Sequence, residues 1–233
     1  MLAIIGGTSL LETSLFHNME EQIIRTPYGD AAAFVKDNLV YIQRHGKEGN
    51  TPPHTINYKA NLTAIHQLDV TKTIAINSTG SLKEEIKPGT LVVPDDYFNL
   101  FDVPTFFDNQ LKFTVPGLDP KVRSSIISIA QRHHIEIIPQ GVYFQVHGPI
   151  LETQAEIRFI KQIGDIVGMT MAKEAILAKE IQLSYASICM IDNYANGITQ
   201  KPLTLHGIDR TRNLNLNKLE ELLGHICREM VND

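Results

Sequence analysis

Residues 166–193 read IVGMTMAKEAILAKEIQLSYASICMIDN, and this stretch decides the fold class. It begins with a short apolar strand at 166–168 and ends with a continuous apolar strand at 185–191. Between the two, residues 174–181 have helical periodicity. A strand, a helix and a second strand in this order predict an α/β fold in which helices cover the sheet.

The same alternation continues on both sides of that stretch. We predict further strands at 2–5, 39–43, 73–77, 91–93 and within 135–146. We predict further helices at 54–68, 120–134, 153–163 and 215–230, the third opened by a capping box of Thr153 and Glu156. The pattern indicates one α/β domain, residues 1–233, with a parallel or mixed sheet. Ligands of such folds bind at the carboxyl ends of the strands.

The composition excludes several classes of function. The chain has 233 residues, of which 43% are hydrophobic, so it can form a core without disulfides or metals. Its formal net charge of -5 offers no basic surface for nucleic acid. No segment approaches the ~18 apolar residues of a membrane span, and the N-terminus lacks the features of a signal peptide. We therefore expect a cytoplasmic protein with no membrane or nucleic-acid partner.

Two polar clusters follow predicted strands and have the composition of anion sites. GGTS at 6–9 offers backbone N–H groups and hydroxyls, although an ordinary tight turn explains it as well. RHG at 44–46 offers the guanidinium of Arg44, whose fork matches phosphate oxygens, and His45 as a further donor. The alternative is an Arg44 paired to a surface carboxylate beside an ordinary polar histidine.

Two further clusters complete the candidate site. NSTGS at 77–81 ends a predicted strand, as an anion cradle or a Ser/Thr-rich turn. The last cluster combines Glu152, the pair Met169 and Thr170, and Asn193. Taken singly, these residues suit structural roles as a first-turn glutamate, core filler and a turn residue. Their joint occurrence supports a function.

Read together, these segments resemble the trimeric purine nucleoside phosphorylase and methylthioadenosine phosphorylase family. The resemblance covers most of the chain, with order and spacing preserved. PPHTINYKAN at 52–61 and VGMTMAKEAILAKE at 167–180 are the distinctive segments. The other matching segments are IIGGTS (4–9), TPYG (26–29), RHG (44–46), NSTGSL (77–82), KPGTLVVPD (87–95), GPILETQAE (148–156) and YASICMIDN (185–193).

The resemblance implies a role for each candidate residue. It implies that phosphate is held by Thr8, Arg44, His45 and Ser78, with the Ser78 amide contributing. It places Met169 against the ribose, Thr170 near the sugar or phosphate, and Glu152 and Asn193 at the base.

The resemblance also implies a fold and an assembly. The fold is a distorted, barrel-like mixed sheet surrounded by helices. The assembly is a homotrimer, or a dimer of trimers, with sites at subunit interfaces. A neighbouring subunit covers the sugar, and Phe113 is the nearest candidate residue. The family uses inorganic phosphate as co-substrate, with no other cofactor and no metal.

The base is predicted from hydrogen-bonding chemistry. Where the adenosine-type relatives carry T-D-Y-D, this chain has Asp192, Asn193, Tyr194 and Ala195. An amide at 193 can donate to O6 of a purine and accept from a protonated N7, and the Glu152 carboxylate can accept from N1–H. A 6-aminopurine would instead leave a buried acceptor unmatched, at a cost of about 1–3 kcal/mol. We therefore predict 6-oxopurine nucleosides, inosine and guanosine, as substrates.

The group at the 5′ position of the sugar leaves alternatives open. Counting from Asn193 without gaps places His206 at a family position where histidine binds a 5′-hydroxyl. The overall segments nevertheless resemble the methylthio branch, so 5′-methylthioinosine is the alternative substrate. Methylthioadenosine phosphorolysis, a nucleosidase that uses water, and a non-catalytic nucleoside-binding protein are the remaining alternatives.

Overall fold

The computed structural model describes residues 1–11, 13–100 and 102–231, and within them eleven strands form one mixed sheet. The strands are β1 (Leu2–Gly6), β2 (Glu20–Thr26), β3 (Gly29–Lys36), β4 (Leu39–Gln43), β5 (Lys72–Ser81), β6 (Leu91–Val92), β7 (Asp96–Phe98), β8 (Ile137–Ile138), β9 (Val142–Gln145), β10 (Ile166–Gly168) and β11 (Ser184–Tyr194). The helices are α1 (Tyr58–Gln67), α2 (Pro120–Arg132), α3 (Gln154–Ile160), α4 (Met171–Glu180) and α5 (Leu205–Met230).

The sheet branches at β5. The first half of β5 pairs in parallel with β1, and β1 pairs in parallel with β4. The antiparallel strands β3 and β2 extend the sheet beyond β4. Its last two residues pair antiparallel with β10, which leads to β9 and β7. Along its whole length β5 also pairs in parallel with β11, which leads to β6 and β8. The predicted mixed-sheet α/β fold is confirmed.

Helices cover both faces of the sheet, which explains why the central strands are apolar throughout. Leu2 and Ile4 of β1 belong to a core with side chains of α2 and α5. Ala3 and Ile5 face the opposite way, into a core with side chains of α1 and α4. Because successive side chains of a strand point to opposite faces, a strand buried on both faces loses the polar alternation of a surface strand.

Several predicted boundaries were wrong, and three of them have clear local reasons. The helix expected at 54–68 begins at Tyr58, because the Asn57 side chain accepts a hydrogen bond from the Ala60 N–H at 3.0 Å and caps it there. The last helix begins at Leu205, ten residues before the expected start at 215, since Thr204 caps it. Residues 78–81, expected as a turn, continue β5 because β11 and β10 pair with them.

Two features of the sheet were not predicted. The hairpin of β2 and β3 and the short strand β7 carry weak apolar patterns, and pairing with neighbouring strands defines them.

Of the helices in the described residues, none combines the length and apolar character needed to cross a bilayer.

Candidate active site

A cavity of about 210 Å³ opens where several strands end together. Residues at or just beyond the ends of β1, β4, β5, β10 and β11 line it, as does the start of α5. It brings together eight of the ten side chains predicted from the sequence. These are Thr8, Arg44, His45, Ser78, Glu152, Met169, Thr170 and Asn193.

The structure places the other two predicted residues away from this cavity. His206 is exposed on the first turn of α5, and Leu203 and Ile208 line the cavity instead. The gap-free count from Asn193 could not take the rotation of α5 into account, and the role of His206 at the sugar stays a prediction. Phe113 is 89% exposed in the segment between β7 and α2.

Arg44 is buried and paired, but with a different partner than a surface carboxylate. Its Nε and Nη2 donate to the two carboxylate oxygens of Glu174 at 2.7 and 2.9 Å, and its Nη1 donates to the Ile76 carbonyl at 2.5 Å. Burial disfavours the charged guanidinium, but the pair with Glu174 outweighs it and holds the pKa of Arg44 above its ordinary value. A guanidinium has five N–H donors, so two remain for an anion.

His45 is neutral in this arrangement. Its Nδ1 lies 2.8 Å from the Thr51 carbonyl, which can only accept, so we assign the proton to Nδ1. Burial and the neighbouring Arg44 lower the pKa of His45 to about 4. Its Nε2 is then an acceptor, which suits the protonated oxygen of hydrogen phosphate. The sequence had predicted a donor at this position.

Three hydroxyls meet at the end of the cavity near Arg44. Ser78 Oγ lies 2.8 Å from Thr8 Oγ1 and 2.6 Å from Ser9 Oγ. Gly7 lets the chain pass close to the guanidinium, because a Cβ there would lie 2.5 Å from Arg44 Nη1. Clustered hydroxyls beside a guanidinium are suitable donors for a phosphate group.

Thr170 is fixed by a buried hydrogen-bond chain. The Asn77 amide donates to Thr170 Oγ1 at 2.7 Å, and Ser187 donates to the Asn77 carbonyl oxygen at 2.7 Å. The Tyr143 hydroxyl accepts from the backbone N–H groups of Thr170 and Met171 at 3.1 and 3.3 Å. This chain holds the N-terminus of α4 at the cavity, and a helix N-terminus favours a bound anion.

Apolar and polar side chains suited to a heterocyclic base also line the cavity. Leu151 and Val167 supply apolar surface, and the side chains of Glu152 and Asn193 line the same space. Burial raises the pKa of Glu152 above its ordinary value. Asn193 Nδ2 donates to the Tyr194 carbonyl at 2.8 Å, which leaves its second N–H and its Oδ1 for a ligand.

Three charged residues of the site escaped the sequence analysis. Glu174 looked like an ordinary helical residue, and only the fold shows its contact with Arg44. Asp192 and Arg212 both line the cavity. A carboxylate directly after the apolar run of β11 was a signal for Asp192, whereas nothing in the pattern of α5 distinguished Arg212.

Such a site, an anion cradle beside an apolar slot on a branched mixed sheet, is that of an enzyme transferring a group to or from phosphate. The family model described as "Phosphorylase superfamily" matches residues 2–228. The chain therefore belongs to this superfamily, and within it to the purine nucleoside phosphorylases, which are pentosyltransferases.

Named relatives agree with this membership. A "Probable 6-oxopurine nucleoside phosphorylase" of Archaeoglobus fulgidus is 42% identical over 208 residues, covering 87% of this chain and 86% of the relative. A "Probable S-methyl-5'-thioinosine phosphorylase" of Methanocaldococcus jannaschii is 39% identical over 235 residues, covering 98% and 89%.

A solved structure shows the same fold. Methylthioadenosine phosphorylase from Schistosoma mansoni, in complex with adenine, matches with a TM-score of 0.90 over 100% of this chain and 92% of that one, at 24% identity.

Proposed function

We propose that this nucleoside phosphorylase cleaves 6-oxopurine nucleosides with phosphate, releasing the free base and the sugar 1-phosphate. One observation carries the proposal: the carboxylate of Glu152 and the amide of Asn193 line the same cavity as the hydroxyls and guanidinium of the anion cradle. The carboxylate accepts from N1–H of the base, and the amide serves O6 and N7.

The phosphate occupies the anion cradle, and the sugar lies between the phosphate and the base. Phosphate binds at Arg44, Ser78, Thr8 and the N-terminus of α4, with its protonated oxygen on His45 Nε2. Met169 lies against the ribose. The glycosidic bond loosens, and a phosphate oxygen attacks the anomeric carbon from the opposite face. Positioning and preorganised donors supply most of the acceleration, and no covalent enzyme intermediate forms.

A substrate panel tests the proposal. We expect hypoxanthine release from inosine to require phosphate, and adenosine to react at least about ten-fold more slowly, because its unprotonated N1 opposes Glu152. The variant Asn193→Asp introduces the aspartate that the adenosine-type relatives carry at this position, and it should reduce the difference in rate between inosine and adenosine. Equal rates with adenosine, or release without phosphate, contradict the proposal.

Apolar side chains just before α5 and on its first turns support 5′-methylthioinosine as a second candidate substrate. Leu203 and Ile208 line the cavity there, whereas His206 is exposed. Apolar side chains favour a thioether over a hydroxyl, at about 0.8 kcal/mol per buried methylene-sized group. We expect Ile208→Ala to reduce kcat/KM for 5′-methylthioinosine more than for inosine. The matched control His206→Ala should leave the ratio unchanged, and a changed ratio in that variant restores His206 to the site.

We also propose that the chain works as a homotrimer in which a neighbouring subunit covers the sugar. Leu111, Phe113 and Val115 are 94%, 89% and 81% exposed within five residues, which is unfavourable in water unless another surface covers them. Light scattering measures the oligomeric state. Phe113→Ala should raise KM for the nucleoside, and a fully active monomer contradicts this assembly.

A further inference from the structure

Asp192 is a buried carboxyl group near Ser78 and Arg212, but neither residue makes a close hydrogen bond to it. Its side chain is 1% exposed, and within the described part of the chain neither carboxylate oxygen has a hydrogen-bond partner. It lines the cavity beside Asn193 and Ser78. Polar atoms that are buried without a partner in a native site are uncommon and call for a functional explanation. A ligand atom in the cavity would supply the missing partner.

A β-bulge in β11 lies at Asp192, beside the cavity. The parallel register pairs Ile191 with Thr79 and Asn193 with Gly80, so Asp192 is the extra residue of β11. In a regular strand two consecutive side chains point to opposite faces, but here both Asp192 and Asn193 line the cavity. Bulges that redirect a side chain are frequent next to active sites.

The charges around the cavity favour a protonated Asp192 once phosphate is bound. Arg44 is neutralised by Glu174, and His45 is uncharged. Arg212, which approaches Asp192 from α5, is paired with Asp209 at 3.0 Å. A phosphate dianion next to an ionised carboxylate would therefore meet like charge, while both arginines of the cavity already have carboxylate partners.

The pKa of Asp192 fits this conclusion. Burial raises it to about 7, while Ser78 and Arg212 oppose the shift and Asp209 adds to it. Glu152 also lines the cavity and has a raised pKa, but the proposed function uses it as an acceptor for N1–H.

We propose that Asp192 is the catalytic acid that protonates the leaving purine at N7, an inference that rests on the proposed phosphorolysis. A departing purine anion needs a proton, and the amide of Asn193 cannot supply one. Among the described residues lining the cavity, His45 directs its Nδ1 proton to Thr51 and Glu152 lies at the opposite edge of the base. Asp192 faces Ser78 on the phosphate side and adjoins Asn193 on the base side.

The proton balance closes within the site. The C1′–N9 bond breaks and its electron pair stays with the base, which takes the Asp192 proton at N7. A phosphate oxygen forms the new bond to C1′. The proton of hydrogen phosphate then passes to the Asp192 carboxylate. The products are a neutral base and a sugar 1-phosphate dianion, and the carboxyl group is restored.

The experiment compares inosine with 7-methylinosine, whose base already carries a positive charge and leaves without protonation. Asp192→Asn keeps the shape of the side chain and removes its proton. We expect kcat for inosine to fall at least about 100-fold, in the range of general acid catalysis, and kcat for 7-methylinosine to stay within about three-fold. An equal loss for both substrates, or none for inosine, overturns the proposal.

Two controls separate this outcome from other effects. Asp209→Asn removes the other carboxylate near Arg212 and should change kcat for inosine and kcat for 7-methylinosine by the same factor. In the wild type, the ratio of kcat for inosine to kcat for 7-methylinosine should fall as pH rises above 7, because kcat reports the complex in which bound phosphate keeps Asp192 protonated to higher pH. The ionisation of phosphate cancels from that ratio. A ratio independent of pH overturns the assignment. Phosphate-dependent turnover of 7-methylinosine tests the proposed function separately from the role of Asp192.

Discussion

Replacement of Glu174 by alanine leaves the buried Arg44 guanidinium without its counter-charge. The change removes two hydrogen bonds from Arg44, at 2.7 and 2.9 Å, and one from the Tyr185 hydroxyl at 2.8 Å. Arg44 is 2% exposed, so water cannot replace the lost carboxylate. Breaking a buried ion pair by removing one partner costs about 3–5 kcal/mol. For a chain of this size each kcal/mol shifts Tm by about 2–4 °C, so we expect a fall of about 6–20 °C.

Calorimetry or urea denaturation measures this loss, and a surface pair is the matched control. Glu21 and Lys47 approach to 2.5 Å but are largely exposed, so Glu21→Ala should cost less than about 1 kcal/mol. The double variant Arg44→Met with Glu174→Leu removes both charges and should recover most of the stability while abolishing phosphate-dependent turnover. A Glu174→Ala protein within about 1 kcal/mol of the wild type would refute the reasoning, as would a double variant that retains the KM for phosphate.

Three further outcomes follow from the same geometry. Gly7→Ala should raise KM for phosphate about 10- to 100-fold, because the added Cβ would displace Arg44 Nη1. The loss of a charge-assisted hydrogen bond costs about 1.5–3 kcal/mol. Steady-state kinetics measure this KM, and Gly224→Ala, at an uncrowded helix position, is the control. Asn193→Ala should lower kcat for inosine about 100-fold with little change in KM for phosphate, and the reverse pattern in initial-rate assays would contradict its role at the base. The free energy of unfolding of Asp192→Asn should exceed that of the wild type by an amount that grows as pH rises from about 4 to about 7. The reason is that the buried carboxyl group stays protonated in the folded wild type while it ionises in the unfolded chain. The difference should grow by about 3 kcal/mol between pH 5 and 8, and a constant difference in urea titrations would contradict the raised pKa of Asp192.

The sequence determined those features that depend on local pattern. The apolar runs at 2–5, 39–43 and 185–191 were long enough to identify buried strands, because strands covered on both faces need no polar alternation. The capping box of Thr153 and Glu156 opens α3 as predicted, since its hydrogen bonds join residues only three apart. Polar motifs following strands located eight of the cavity's side chains, because strand ends gather at one edge of such sheets.

Tertiary structure alone decided the contacts between distant residues. Glu174 meets Arg44 across 130 positions of the chain, and no local pattern encodes that pairing. The bulge at Asp192 arises from the register between β11 and β5, which depends on both strands at once. The rotation of α5 brings Ile208 to the cavity and leaves His206 exposed, because a shift of one residue on a helix turns a side chain by about 100°. Sequence patterns therefore placed the site, whereas packing set its charges and its walls.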